Sequence, residues 1–149
     1  MRFHDVLDLT NETQPNFVEF HLSYRDLEID FKSILEPESI SNFLIHCPEL
    51  FSEDHLLDLS SRNDDYRNRS IAELKKVIDL TRNMKEYFGL KNDIRIIVNV
   101  GGFSKNQFLD SNTKSLLYSR LENSLDQIDT SGVQLLPQTM PPFPWHFDG

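Results

Sequence analysis

Polar side chains that could do chemistry stand at the ends of four short apolar runs. His21, His46, Asn99 and Gln138 each come at or directly after the end of such a run. A neutral imidazole can transfer a proton or bind a metal ion or a substrate hydroxyl, and a side-chain amide both donates and accepts hydrogen bonds. If the runs are parallel strands, their carboxyl ends form the rim where barrel enzymes build active sites. We therefore take His46 as the candidate catalytic residue; the alternative is a rim histidine bonded to neighbouring backbone.

Glu19 and His21 form a second candidate pair because they share one face of the first run. In residues 16–23, apolar and polar positions alternate with the period of a strand. In a barrel this face would point into the interior, where a carboxylate and an imidazole could bind a polyol or act as acid and base. The alternative is a hydrogen bond that only stabilises the fold. We include both among the candidate substrate-binding residues, with Asn99 and Gln138.

Two further segments add candidate substrate-binding residues. Gly101 and Gly102 follow the third run, and their N–H groups could cradle a phosphate; the alternative is a tight turn. Trp145 and His146 lie in the proline-rich, aromatic stretch 138–147. Such a loop could form a platform for a sugar, and the alternatives are a polyproline segment recognised by a partner or simple loop packing.

The elements that must position these residues alternate along the chain. The strand runs are 16–23, 43–46, 94–100 and 133–136. Helical patterns occupy the intervals between the strands. A short helix is predicted over 26–35 and another over about 113–128. Between them, a third helix is predicted to begin at a capping box of Ser70 and Glu73 and to end at Gly89. The last helix is predicted to bury Leu117, Leu121, Leu125 and Ile128.

Alternating strands and helices predict parallel pairing, in either an open doubly wound sheet or a closed barrel. An open nucleotide-binding sheet carries a glycine-rich turn after its first strand, and the segment 21–24 contains no glycine. We therefore predict an α/β fold. It would be a single domain over 1–149, a partial (β/α)₈ TIM-type barrel with about four parallel strands and intervening helices.

Composition narrows the class of protein. The chain of 149 residues carries 24 acidic and 15 basic residues, a net charge of −9, which opposes sequence-independent binding of nucleic acid. The single cysteine, Cys47, excludes an internal disulfide and suits a reducing compartment as a buried, inert thiol. No apolar run reaches membrane-spanning length. We expect a cytoplasmic protein with no membrane or nucleic-acid partner.

Three segments resemble sugar-phosphate isomerases/epimerases of the xylose-isomerase-like barrel superfamily, which also contains apurinic-site endonucleases. Residues 45–50, with 57–60 and 69–71, resemble the family's third-strand segment; residues 97–102 resemble the next strand, and 136–149 the fifth strand with its loop. The similarity extends from about Phe17 onward. It implies an isomerase or epimerase acting on a phosphorylated or acidic sugar, in surface-polysaccharide or sialic-acid-type metabolism.

The departures from this resemblance concern the metal. His46 matches a family histidine, but Asn99 stands where members carry another histidine, and Gln138 stands where they carry a metal-binding glutamate. The resemblance thus implies a divalent metal in the full-length parent, while two of its usual ligands are replaced by neutral amides that bind such ions poorly. The identity of any metal is left open.

Length decides which partners we expect. A complete barrel takes roughly 250 residues, and four strands would leave parallel edges unpaired. We expect a fragment whose partner is the remaining half of the barrel, or a half-barrel that pairs with a second copy. A non-catalytic carbohydrate-binding or scaffold barrel is the alternative function. An apurinic-site endonuclease is disfavoured by the net charge and by Asn99.

Overall fold

The computed structural model of the chain describes residues 1–13, 15–104 and 108–138. The helices are α1 Phe3–Thr13, α2 Asp64–Tyr87 and α3 Ser111–Leu125. The strands are β1 Val18–His21, β2 Phe43–His46, β3 Leu50–Phe51, β4 His55–Leu56, β5 Ile94–Val98 and β6 Val133–Pro137. Short 3₁₀ helices span Tyr24–Glu28, Phe31–Ser33 and Ser52–Asp54. None of the described helices is long and apolar enough to cross a membrane.

The main sheet has the order β1-β2-β5-β6, and every pairing in it is parallel. The spatial order follows the order in the sequence, as in the wall of a barrel, whereas a doubly wound sheet reverses its order at a switch point. Strands β3 and β4 form a separate antiparallel hairpin between β2 and α2. The predicted α/β fold with four parallel strands is confirmed.

The two faces of the main sheet have opposite environments. One face is buried under the helices and carries Val18, Phe20, Phe43, Ile45, Ile94, Ile96, Val98 and Val133. On the other face, Leu44, His46, Ile97 and Leu136 are half-buried, while His21, Arg95 and Gln134 are exposed. In a barrel the helices lie outside and the opposite face lines the interior. The open face of this sheet is therefore the inner face of the barrel wall.

An aromatic cluster holds α1 and the C-terminal end of α2 against the covered face. Phe20 lies 5.3 Å from Phe3 and 5.8 Å from Phe43 between ring centroids, and Phe43 lies 5.8 Å from Phe88. Burying each of these rings contributes about 1.5–3 kcal/mol, with additional stabilisation from the edge-on contacts. The cluster fixes the first two strands beneath their helices.

The two outer edges of the sheet differ. At β1, the N–H of His21 donates to the carbonyl of Met1 at 2.9 Å, and the Met1 ammonium donates to the carbonyl of Glu19 at 3.1 Å. At β6, the bonds Ile94 N to Gly132 O and Gln138 N to Val98 O turn the even-numbered residues toward β5. Since backbone groups alternate along a strand, the N–H and C=O groups of Val133, Leu135 and Pro137, where present, point to the outer edge of the sheet.

Several local predictions are corrected. The stretch predicted as one short helix over 26–35 forms two 3₁₀ helices instead. Helix α2 begins at Asp64, where Asn63 caps it by accepting from the N–H of Tyr66 at 3.1 Å, and not at the predicted Ser70–Glu73 capping box. Gly89 does follow α2 in the left-handed conformation, with φ of +66°. Helix α1 and the β3–β4 hairpin had no counterpart in the sequence prediction.

Ser70 lies inside α2 because its hydroxyl has a different role. It is fully buried, accepts from the N–H of Asp58 at 3.0 Å and contacts Nε2 of the buried His55 at 2.9 Å. The His55 ring also packs on Tyr66, with centroids 4.2 Å apart. In the neutral imidazole, Nε2 can accept the hydroxyl proton of Ser70. This link fastens the β3–β4 hairpin to α2.

We expect acid to weaken the fold through His55. Burial, and then the charge of Arg69, hold its pKa below the ordinary 6.5, against the opposing effect of Glu73 and Asp58. The unfolded chain therefore binds this proton first as the pH falls, and the free energy of unfolding decreases from about pH 6.5 downward. Urea unfolding of H55Q between pH 7.5 and 5 should show a shallower pH slope than wild type.

The matched control is H4Q, which removes an exposed histidine of α1 and should keep the wild-type slope. An H55Q slope equal to that of wild type would show that His55 does not contribute to the acid sensitivity.

Candidate functional site

The carboxyl ends of the strands bring four of the predicted residues together on the inner face. We call Glu19, His21, His46 and Gln138 the rim cluster. Within it, Nε2 of His21 lies 2.8 Å from Oε1 of Glu19, and Nε2 of His46 lies 3.1 Å from Oε1 of Gln138. The rings of His21 and His46 stack with centroids 4.7 Å apart and an interplanar angle of 9°. The rim cluster is a continuous polar surface from β1 to the end of β6.

The sheet geometry explains why His46 meets Gln138. His46 pairs with Ile97 in register, and β5 lies between the two strands that carry the bonded side chains. In a barrel, inner side chains from alternate strands lie in one layer because the strands are tilted. The bond from β2 across β5 to the residue after β6 follows this layering. The site geometry is therefore a product of barrel curvature.

The hydrogen bonds define which imidazole nitrogens are basic. A carboxylate oxygen and an amide oxygen only accept, so Nε2 of His21 and Nε2 of His46 each carry a proton in these contacts. In the neutral ring the lone pair is then on Nδ1. His46 makes no contact through Nδ1 with the described residues, so this nitrogen is available to a ligand.

Asn99 directly follows β5 and lies, in strand order, between His46 and Gln138. Its side chain is 4% exposed, and Oδ1 accepts from the N–H of Gly101 at 3.3 Å. Nδ2 is buried and has no hydrogen-bond partner within the described part of the chain. A buried amide N–H₂ without a partner costs about 1–3 kcal/mol. A ligand oxygen at this point would remove that cost.

Asp58 is a positioning residue that the sequence analysis did not count among the candidate site residues. One oxygen, Oδ1, accepts from the N–H of Ser60 at 3.0 Å, from its hydroxyl at 2.8 Å, and from the N–H of Gly102 at 3.1 Å. The carboxylate thus ties the loop before α2 to the loop after β5. The only signal in the sequence is the Asp58-Leu59-Ser60 spacing, which allows a side chain to bond backbone two residues on.

Gly101 and Gly102 are needed for this close approach. Both have positive φ, +90° and +82°, and a Cβ on Gly101 would lie 2.2 Å from Oδ1 and 2.6 Å from Cα of Asp58. Their N–H groups donate to Asn99 and Asp58, so the predicted backbone cradle for a phosphate does not form with these two donors. Their assignment as substrate-binding residues stays a prediction. Trp145 and His146 lie outside the described residues.

The described residues do not fit a divalent metal ion. They contain no group of three or more His, Cys, Asp and Glu side chains that could hold one. Nε2 of both rim histidines is already bonded, and the partner of His46 is the neutral amide of Gln138. Cys47, also beside His46, is buried, and burial raises the pKa of its thiol well above the usual range, so it is inert here.

We expect G101A to destabilise the chain much more than G89A. Both glycines have positive φ, which costs an alanine about 1 kcal/mol, but nothing lies within 4 Å of a Cβ on Gly89. At Gly101 the new methyl would also displace Asp58, for a total loss of about 3 kcal/mol or more in the free energy of unfolding. Urea denaturation of the two variants measures the difference; equal losses would disprove the tight Asp58 contact.

Comparison with known proteins agrees with this geometry. No curated protein and no solved structure matches the chain. A family described as the xylose isomerase-like TIM barrel matches residues 7–149, which is nearly the whole chain. The match agrees with the parallel strand order, the helix-covered outer face and the polar rim. The chain belongs to the xylose isomerase-like TIM barrel family.

Proposed function

We propose that this chain is the N-terminal portion of a sugar-phosphate isomerase or epimerase, acting on a phosphorylated or acidic sugar. Surface-polysaccharide or sialic-acid-type metabolism is the context that the resemblance suggests. The observation that carries the proposal is the rim cluster, in which His46 is oriented by Gln138 and stacked on the His21–Glu19 pair. Membership of the family supports sugar isomerase-like or epimerase-like chemistry in general.

The proposed reaction is proton transfer at a carbon beside a carbonyl group. Nδ1 of His46 takes the proton, and the electron pair of the broken C–H bond forms the double bond of an enediolate. In an isomerase this proton returns to the neighbouring carbon while the hydroxyl proton passes from one oxygen of the enediolate to the other. In an epimerase His46 keeps the proton, and a second acid on the opposite face, supplied by the proposed remaining half of the barrel, protonates the same carbon. Such a base must be held in position, which is the role of the bond between Nε2 and Gln138.

The negative charge that develops on the substrate oxygen needs a donor. Nδ2 of Asn99 is buried without a partner in the described chain and is suited to this role. Glu19 and His21 would bind hydroxyl groups of the sugar on the β1 side, since their side chains remain partly exposed, at 38% and 57%. Gly101, Gly102, Trp145 and His146 complete the proposed substrate-binding set.

The proposed partner is the remaining half of the barrel, because eight strands close a barrel and the described residues supply four. The half-buried Leu44, Ile97 and Leu136 of the inner face would then be covered. A second copy of the chain is the other arrangement that covers this face. A cytoplasmic location and the lack of nucleic-acid partners stay predictions.

A non-catalytic carbohydrate-binding barrel is the second candidate. The observation that favours it is the neutral rim: Asn99 and Gln138 can bind hydroxyl groups but cannot exchange protons near neutral pH. This candidate predicts sugar binding without exchange of any carbon-bound hydrogen. An apurinic-site endonuclease finds no support in the acidic chain with its net charge of −9.

The test is solvent exchange in D₂O. The full-length protein, which would carry this chain together with the proposed remaining half of the barrel, would be incubated with a panel of phosphorylated and acidic sugars, and deuterium incorporation beside the carbonyl would be followed by NMR. H46A should slow the exchange by about 10²-fold or more, since a general base typically contributes 10²–10⁴-fold. H46A should still bind the sugar, because Glu19, His21 and Asn99 remain.

H4A is the matched control, since it removes an exposed histidine far from the rim cluster in sequence, and it should exchange at the wild-type rate. Exchange by H46A at the wild-type rate would remove His46 from the mechanism. Sugar binding without any exchange in wild type would favour the non-catalytic barrel.

A further inference from the structure

A cavity separate from the rim cluster lies between the N-terminal half of α3 and the loop that follows β5. Its volume is about 290 Å³. The lining residues come from the β5–α3 loop, from α3 and from the loop before α2: Ser60, Val100, Gly101, Gly102, Ser104, Phe108, Leu109, Lys114, Leu117, Tyr118 and Leu121. None of the rim cluster residues, nor Asn99, contributes to its walls.

The described contacts that fasten α3 to the rest of the fold lie in its C-terminal half, away from the cavity. Ser124 is the buried residue of the helix, and its hydroxyl donates to the carbonyl of Leu59 at 2.6 Å. Leu117 and Leu121, which were predicted to be buried, are only half-buried and line the cavity, although Leu121 also packs against the core. The apolar wall of the cavity is therefore formed by the half-buried part of the α3 stripe.

Two polar groups on α3 stand one turn apart at this cavity. The Lys114 ammonium and the Tyr118 hydroxyl make no hydrogen bond or ion pair with the described residues. Most other polar groups in the lining are committed, since the Ser60 hydroxyl and the Gly102 N–H both donate to Asp58 and the Gly101 N–H donates to Asn99. Lys114 is the one positive charge among the lining residues.

Several basic side chains of this acidic chain form ion pairs with carboxylates, whereas Lys114 forms none with the described residues. Arg67, Arg69, Arg82, Lys85 and Arg120 all form ion pairs with carboxylates. A lysine that is left unpaired beside a mostly apolar cavity matches a ligand with an anionic head and an apolar body. The Asp58 carboxylate does not oppose such a ligand directly, because it is turned onto Ser60 and Gly102.

We propose that this cavity binds a small organic anion, with its carboxylate or phosphate on Lys114 and its apolar body against Leu117 and Leu121. The Tyr118 hydroxyl donates to the same anionic group, being one helical turn from Lys114. The cavity shares Gly101 and Gly102 with the proposed substrate-binding set but contains none of the rim cluster residues, so binding there does not require the proposed proton transfer. Its ligand contacts the β5–α3 loop that also bonds Asn99.

The test uses phenyl phosphate as the probe, with phenol and inorganic phosphate as its two halves. Titration of the protein, followed by ¹H–¹⁵N NMR, should give saturable shifts of the Gly101 and Gly102 amides with phenyl phosphate and weaker binding of each half. K114Q should weaken phenyl phosphate binding about fivefold, as expected for the loss of one partly exposed ion pair. K91Q, which removes the same charge at an exposed site, should bind like wild type.

A cavity-filling variant, L117F, keeps the charge and should also lose the probe. H46A should retain binding, which separates this site from the rim cluster. The inference is overturned if K114Q and K91Q bind phenyl phosphate equally, if L117F binds it like wild type, or if inorganic phosphate alone binds as tightly as the complete probe.

Discussion

The structure depends on the burial of only one face of a parallel four-stranded sheet. The covered face is apolar at every strand and lies under the helices, with the ring cluster of Phe3, Phe20, Phe43 and Phe88 at its centre. Burial of this face sets the register of all four strands, because a shift by one residue would turn every apolar side chain to the other side. The inner face is thereby left free to carry polar groups. The rim cluster lies on this face, which the core does not use.

The strands were predictable from sequence, but their side-chain contacts were not. Runs such as Ile94–Val98 are apolar on consecutive positions, which is a local signal of a buried parallel strand. The same local logic placed His46 and Gln138 at one rim. The bond between them joins residues 92 positions apart and depends on the curvature of the sheet, which no local pattern encodes.

Ser70 shows why a correct local motif can be misassigned. Its spacing to Glu73 fits a helix start, but the hydroxyl bonds the buried His55 and the N–H of Asp58, and α2 extends a further turn and a half in the N-terminal direction. Asp58 is the converse case. Its acidic side chain and loop position suggest a solvated surface, whereas it holds two loops together through a single oxygen. In both cases the deciding partner is distant in sequence.

Pro137 has a consequence for the behaviour of the outer edge of β6. Three residues of β6 direct their backbone groups to the outer edge. Val133 donates its N–H to the carbonyl of Thr130, and Pro137 has no N–H to donate. Leu135 is then the one strand residue whose N–H can extend the ladder outward. The edge offers carbonyl acceptors but almost no N–H donors. An extended segment that pairs with this edge therefore gains few backbone hydrogen bonds. Within the described residues, the outer edge of β6 therefore offers few N–H donors for edge-to-edge aggregation.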